Sequence, residues 1–283
     1  MNPTAPNALR LTLMQAGYTT APQAMILRGG RWQRMKIPAL LALIEHPRQG
    51  PVLFDTGYSP RFFSETRRWP ASLYPKITPV TLAASETAAA QVQARGIAPA
   101  DVRFIILSHF HADHVGGLFD FPNAQFIYPA AALAAVRGKS GFAALRAGYL
   151  PGLLPPDFLA RGRALQPAEF TPLPAEYAPF ERGVDIFGDG TLLGVSLPGH
   201  AVGQMGLFLR DENLGPVLLA ADACWHSRAC REFILPHPAV LRILPDSAAY
   251  QTTLRRLHHL HTRRPELHII PSHCPEWAAT LSR

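Results

Sequence analysis

Three histidines and one aspartate lie within six residues of one another, from His109 to His114. They form the pattern H-x-H-x-D-H, which follows the short apolar run 103–107 and precedes Gly116. Such a run predicts a buried strand, and a loop that follows a strand can curl around an ion. Neutral imidazoles with a carboxylate suit zinc first, with manganese, iron or cobalt as alternatives. The motif therefore predicts a metal site.

Three more apolar runs end in a residue that can bind a metal: His200, Asp222 and His273. Each alone is a weak signal, because a histidine or aspartate after a strand often forms a turn or a cap. One tetrahedral ion does not need all these groups, whereas two ions that share a bridging carboxylate do. The sequence thus predicts a two-metal centre with seven ligands, which are His109, His111, Asp113, His114, His200, Asp222 and His273.

The chain has 283 residues, 48% of them hydrophobic and 17% charged, which is typical of an ordinary globular protein. A chain of this length buries about 75% of its unfolded surface and needs no disulfides. The odd number of cysteines, three, favours a reducing compartment. The first residues lack the pattern of a signal peptide, and no apolar run is long enough to span a bilayer. We therefore expect a cytoplasmic protein without a membrane partner.

The formal net charge of +7 comes from basic residues that are dispersed along the chain. Dispersed charge does not favour a nucleic-acid partner, and we expect none. Four arginines flank a histidine-rich helix near the C-terminus, where we expect a solvated helix face: Arg255, Arg256, Arg263 and Arg264.

Strand-like and helix-like segments alternate along the chain, which predicts a sheet-on-sheet core covered by helices. The Ala- and Gln-rich segment 81–95 is typical of a helix, and Gly96 would end it. We expect one domain over 1–283. Prolines, glycines and aromatics dominate 137–182, which indicates an insertion that forms a lid or pocket wall. A surface excursion packed on its own aromatics is the alternative interpretation.

These motifs together resemble the metallo-β-lactamase superfamily, from the Asp-Thr-Gly segment 55–57 to His273. The resemblance implies an αββα sandwich, in which two mixed sheets are flanked by helices and hold the metals at one edge. It implies that His109, His111 and His200 hold one metal. By the same resemblance, Asp113, His114 and His273 hold the other, Asp222 bridges the two, and Asp55 orients one of the ligands from behind.

Within the superfamily, segments 198–204 and 272–277 look most like the N-acyl-homoserine lactone lactonases and their relatives. Those relatives also include hydrolases of other lactones, esters and organophosphates. Lactonases of this group commonly have a tyrosine three residues after the bridging aspartate, where Trp225 stands here. An indole can donate a hydrogen bond but has no hydroxyl. The resemblance therefore implies hydrolysis without implying specificity for homoserine lactones.

The chemistry expected of such a centre is hydrolysis without a covalent intermediate. A hydroxide that bridges two zinc ions attacks the carbonyl of a small-molecule lactone or ester, and Asp113 passes the proton to the leaving group. Phe110, Trp225 and His226 are candidate substrate contacts.

Other functions use the same residue set. A glyoxalase-II-like thioesterase would use basic residues such as Arg137, Lys139 and Arg146 for an anionic thiol carrier. An organophosphate or phosphodiester hydrolase would share the two metals. A metal-free binding scaffold is the non-enzyme alternative, although such scaffolds usually lose ligands. We also expect that a homodimer could form through the aromatic-rich N-terminal region and the insertion.

Overall fold

We describe residues 9–281 of a computed structural model of the chain. This part contains two six-stranded sheets. The first sheet has the order β1-β2-β3-β4-β5-β6. Its strands are β1 (Arg10–Pro22), β2 (Arg34–His46), β3 (Gly50–Phe54), β4 (Phe104–Ile106), β5 (Gln125–Pro129) and β6 (Gly162–Leu165). The first three strands are antiparallel neighbours, and β3 to β6 run parallel, so the sheet is mixed.

The second sheet is also mixed and has the order β12-β11-β10-β9-β8-β7. Its strands are β7 (Thr171–Pro172), β8 (Arg182–Asp185), β9 (Leu193–Ser196), β10 (Met205–Asp211), β11 (Gly215–Ala221) and β12 (His268–Pro271). Only β11 and β12 pair in parallel. Segment 137–182, expected as an insertion, contains β6 and β7 and leads from the first sheet to the second.

The described helices are mostly short. They are α1 (Gln23–Ile26), α2 (Pro60–Glu65), α3 (Tyr74–Ile77), α4 (Ala88–Gln93), α5 (Ala112–Val115), α6 (Ala130–Val136), α7 (Gly141–Arg146), α8 (Ser227–Glu232), α9 (Pro238–Ile243), α10 (Ser247–Arg263) and α11 (Pro275–Ala278). In α10, Tyr250, Leu254 and Leu257 share a buried stripe at helical spacing. Asp246 begins this helix by accepting a hydrogen bond from the amide of Ala249 at 2.8 Å.

Three apolar layers hold the sheets and helices together. Neighbouring residues of a strand point to opposite faces, so Leu53 packs under the helices while Val52 and Phe54 pack between the sheets. The layer outside the second sheet joins Phe208 and Leu218 to the stripe of α10. Three layers of apolar contacts require four layers of structure, and the predicted αββα sandwich is confirmed.

One predicted helix is shorter than expected. Segment 81–95 contains a 3₁₀ turn and then α4, which begins after Thr87. Thr81 is held outside the helix because its backbone pairs with Tyr18 through two hydrogen bonds of 2.9 Å. The tertiary contact overrides the helical tendency of the sequence.

Within residues 9–281, none of the helices has both the length and the apolar character needed to cross a lipid bilayer. Cys224, Cys230 and Cys274 are buried free thiols.

Candidate metal centre

The seven predicted ligands come from strand ends that meet at one edge of the sandwich. The parallel strands β3 and β4 bring Asp55 and the H-x-H-x-D-H motif to this edge. The parallel strands β11 and β12 bring Asp222 and His273 to the same edge. Backbone hydrogen bonds join the sheets there, from Leu40 to Ser272 at 2.8 Å and from Met205 to Ser108 at 3.0 Å.

Two of these strand ends turn through backbone conformations that are rare outside glycine. Asp55 has φ +60°, and Ala221, which precedes Asp222, has φ +47°. Such conformations persist only where surrounding contacts hold them, and they cluster at functional sites. Both turns direct a carboxylate into the same buried space, since Asp55 and Asp222 are 0% and 2% exposed.

The structure brings all seven residues together in three groups, one of which, His109, His114 and Asp222, overlaps the other two. His109, His111 and His200 form the first group, which we call the histidine trio. Asp113, His114 and His273 form a second group, the mixed cluster. In each group the candidate ligand atoms all lie within 4.8 Å of one another, a spacing that suits metal binding.

Asp222 lies between the two groups. Its Oδ2 is 3.2 Å from Nε2 of His200 in the trio and 3.0 Å from Nε2 of His273 in the mixed cluster. Its Oδ1 is 3.1 Å from Nε2 of His114. One carboxylate thus contacts histidines of both groups, which is the arrangement that a bridging ligand requires.

A hydrogen-bonded chain behind the site fixes the orientation of two imidazoles. Asp55 accepts hydrogen bonds from the amide and hydroxyl of Ser108, each at 2.8 Å, and from Nδ1 of His114 at 2.7 Å. The Ser108 hydroxyl in turn lies 2.9 Å from Nδ1 of His109. His273 is held in the same way, because its Nδ1 donates to the carbonyl of Pro38 at 2.6 Å. In all three rings Nδ1 is occupied by the protein, which leaves Nε2 for another partner.

Several buried atoms on the inner side of the site lack hydrogen-bond partners among the described residues. Nε2 of His109 has no partner, and Nε2 of His114 and Oδ1 of Asp222 face only each other, 3.1 Å apart and without the geometry of a hydrogen bond. Buried polar atoms without partners are costly and uncommon in folded proteins. Nitrogen lone pairs and carboxylate oxygens aimed at one point are the donor set of zinc and related ions, so the residues fit a metal. His111 Nδ1 and His200 Nε2, 2.9 Å apart, converge in the same way.

Burial and charge divide the histidines into two kinds. Burial, together with neighbouring imidazoles, lowers the pKa of His109 well below its usual value and that of His200 to about 3. Burial also lowers the pKa of His111, although Asp113 and Asp222 oppose the shift. The trio is therefore neutral at physiological pH, which is the form that binds metals.

The histidines of the mixed cluster lie among carboxylates instead. Burial opposes protonation of His114, but Asp55, Asp222 and Asp113 outweigh it and raise its pKa well above the usual value. For His273, burial is likewise outweighed by Asp222 and Asp113, and the pKa is about 9. Without a bound cation, these two imidazoles hold protons, because the neighbouring carboxylates favour the charged form of the ring.

Gly148 contacts the centre and was not predicted from the sequence. Gly148, with φ +62°, packs on the ring of His111, and a Cβ there would lie 2.6 Å from Cδ2 of that ring. The carbonyl of Gly148 accepts from the amide of Ala112 at 3.2 Å and from the hydroxyl of Tyr74 at 3.3 Å. A glycine in a Pro- and Gly-rich segment carries no signal of such a contact, since only tertiary packing reveals it.

The three predicted substrate contacts have different surroundings. The indole N–H of Trp225 donates to Oδ2 of Asp222 at 3.1 Å, so its donor is used inside the protein. His226 caps the N-terminus of α8, where its Nδ1 accepts a hydrogen bond from the amide of Arg228 at 3.1 Å. Phe110 is 2% exposed and packs in the core on Tyr128 and Phe158, so the structure does not place its ring in the space between the ligands.

Comparison with known proteins agrees with this geometry. Residues 39–227 match the model of the metallo-β-lactamase superfamily. The chain belongs to the metallo-β-lactamase superfamily. Its relatives include the N-acyl homoserine lactonase AttM of Azorhizobium caulinodans, which is 30% identical over 231 residues that cover 81% of each chain. The predicted membership and the likeness to homoserine lactone lactonases are confirmed, and the superfamily is one of metallo-hydrolases.

Solved structures share the fold of this chain. An N-acyl homoserine lactone hydrolase, solved with the product N-hexanoyl-L-homoserine bound at its catalytic metal centre, has a TM-score of 0.73 and 18% identity, with 96% of each chain covered. AidC, described as a dizinc quorum-quenching lactonase, has a TM-score of 0.62 and 16% identity, with 94% of this chain and 88% of that chain covered.

Proposed function

We propose that this superfamily member is a dinuclear zinc hydrolase that acts on a small lactone or ester. The observation that carries the proposal is the position of Asp222, which contacts histidines of both the trio and the mixed cluster. In the proposed assignment, the trio would hold one zinc ion, the mixed cluster would hold the other, and Asp222 would be a ligand of both. Manganese, iron and cobalt suit the same donors.

Bound zinc ions would supply Lewis acidity and would lower the pKa of a water molecule enough for attack near neutral pH. The protein's own part is to keep the ligands rigid and to move a proton. Asp55 and Ser108 fix His114 and His109. The carboxylate of Asp113 lies 3.3 Å from His273 and is partly exposed, so it can accept the nucleophile's proton and pass it to the leaving oxygen.

The lactonase relatives favour a lactone as the substrate. Trp225 uses its indole N–H on Asp222, so we propose that it positions this carboxylate and does not donate to the substrate. Within the predicted lid 137–182, the part around Gly148 covers His111, and we propose that this part forms a wall of the substrate site. A homodimer stays a prediction, which light scattering after gel filtration would test.

The experiment is a hydrolysis screen with zinc- and manganese-loaded protein. It should compare N-acyl homoserine lactones, simple γ-lactones, aryl esters, thioesters and phosphotriesters, with Asp113→Asn as the control for background rates. We expect kcat/KM to be at least about tenfold higher for a lactone or ester than for the other classes. Protein that binds two metal ions and hydrolyses no lactone or ester would refute the proposed substrate class. Preference for a thioester or phosphotriester would support the corresponding alternative.

A further inference from the structure

A cavity of about 430 Å³ lies beside the metal centre, and none of the seven predicted ligands lines it. It opens at the same edge of the sandwich, where β5 and β6 end in the first sheet. In the second sheet β9 ends and the antiparallel β8 begins at this edge. Its volume falls within the range of small-molecule sites.

The segment that carries His200 forms one wall of this cavity. Gly203, Gln204 and Met205 line it and follow His200 closely in the chain. Gly203 touches the start of α6, because an added Cβ there would lie 2.4 Å from the amide nitrogen of Ala132. The first residues of α6 also line the cavity. The cavity and the metal centre are therefore neighbours that share the His200 loop.

The interior of the cavity is mainly apolar. Its apolar lining comes from both sheets and from the segments that join them. These residues are Pro129, Ala130, Ala131, Leu165, Phe170, Phe180 and Met205. A lining of this kind binds the hydrocarbon part of a ligand, since burial of apolar surface supplies the driving force.

The rim of the cavity carries a net positive charge. Arg182 and Arg256 lie there with one acidic residue, Glu181. The guanidinium of Arg182 donates to the carbonyl of Phe170. Arg256 projects from α10, is exposed, and forms no ion pair or hydrogen bond with the residues in 9–281. A guanidinium in this position can pair with a carboxylate at the end of an apolar chain.

We propose that this cavity is a second binding site, for a monocarboxylic acid with a medium-length hydrocarbon chain. The chain would fill the apolar interior, and its carboxylate would pair with Arg256 at the rim. The site is separate from the metal ligands, so the proposal does not depend on which reaction the metal centre catalyses.

The test is calorimetric titration of metal-loaded protein with decanoate and, as the uncharged counterpart, decanol. A carboxylate can also bind a metal ion, so the cavity is identified through variants. In Arg256→Ala, decanoate binding should weaken about threefold to fivefold while decanol binding stays unchanged, because a partly exposed ion pair contributes little more. In Ala130→Trp, which fills the cavity, this binding event should weaken at least about tenfold for both probes.

Arg263→Ala is the matched control, because Arg263 lies on the same helix and does not line the cavity. It should bind both probes as the wild type does. Arg256 is exposed, so its variant keeps the fold, and circular dichroism checks Ala130→Trp. Decanoate affinity within about twofold of the wild-type value in either Arg256→Ala or folded Ala130→Trp would overturn the proposal.

Discussion

The two halves of the metal centre hold protons differently, although both are built from histidines at strand ends. The trio has only imidazoles, and the pKa of His200 is about 3. The mixed cluster has Asp113 among its members, and the pKa of His273 is about 9. The difference teaches that the neighbouring carboxylates, more than burial alone, decide which histidines are ready to bind a cation and which must first release a proton.

Asp222 belongs to both halves, so its removal should have the largest effect. In Asp222→Ala we expect turnover to fall at least about 10³-fold, because metal catalysis supplies several kcal/mol and each 1.36 kcal/mol is tenfold. The apolar core does not involve this residue, and circular dichroism should remain unchanged. His109→Ala should behave similarly. A steady-state rate close to that of the wild type in either variant would contradict the assignment.

Removing one ligand from each half should separate the two metals. We expect His200→Ala and His273→Ala each to retain about one zinc equivalent, against about two in the wild type. Each substitution removes a ligand from one half and leaves the ligands of the other half intact. Metal analysis after dialysis measures this. If both variants kept two equivalents, the division into two halves would be wrong.

The substitution Gly148→Ala should displace His111 in the histidine trio and leave the mixed cluster undisturbed. The Cβ of Gly148→Ala would press on His111, and at φ +62° the change also strains the backbone. We expect turnover to fall about 100-fold, the scale of a misplacement of about 1 Å. Gly138→Ala is a matched control, because Gly138 has φ +77° and an added Cβ there meets nothing within 4 Å. Equal rates in the two variants would show that the contact with His111 has no role.

The pH dependence of metal binding should differ between the halves. With His273 protonated below about pH 9 in the metal-free chain, a cation must displace that proton. Affinity of the mixed cluster should therefore rise with pH up to about pH 9, by about tenfold per pH unit for each proton that the cation displaces. The trio should show no such slope between pH 6 and 9, since His200 is already neutral.

Titrations of His200→Ala and His273→Ala in buffers of different ionisation enthalpy count the protons released by each half. Zinc binding to His200→Ala, which keeps the mixed cluster, should release more protons than binding to His273→Ala. The opposite order would mean that the carboxylates do not hold protons on the mixed cluster.

The smallest effect is expected at Trp225. Trp225→Phe keeps an aromatic ring but removes the hydrogen bond to Asp222. One hydrogen bond contributes about 1 kcal/mol, so zinc affinity should fall about fivefold, with KM for the substrate unchanged. A raised KM with unchanged zinc affinity would instead make Trp225 a substrate contact.

Much of the centre could be predicted from the sequence because its ligands follow apolar runs. The spacing of H-x-H-x-D-H and the single ligands at three other strand ends are local features, which can be recognised in the sequence alone. The hydroxyl of Ser108 and the carbonyl of Pro38 were not predicted, because any residue has a carbonyl and a serine next to a histidine is common. Their role depends on which strands become neighbours, as does the contact of Gly148 with His111.

Phe110 shows the converse case, in which the sequence predicted a contact that the folded chain does not make. Phe110 lies between two predicted ligands, yet its ring turns into the core on Tyr128 and Phe158. Proximity in sequence therefore did not indicate proximity to the site. For the fold, the alternation of strand-like and helix-like segments predicted a sheet-on-sheet core, and the family resemblance implied the αββα sandwich. The pairing of Thr81 with Tyr18 shortened a predicted helix.

Anomalous diffraction at the zinc edge, on crystals of the zinc-loaded protein, tests the central claim most directly. Two peaks about 3.5–4 Å apart are expected, one bound by the histidine trio and one by the mixed cluster, with Asp222 between them. A single peak, or zinc bound away from these seven residues, would contradict the two-metal account.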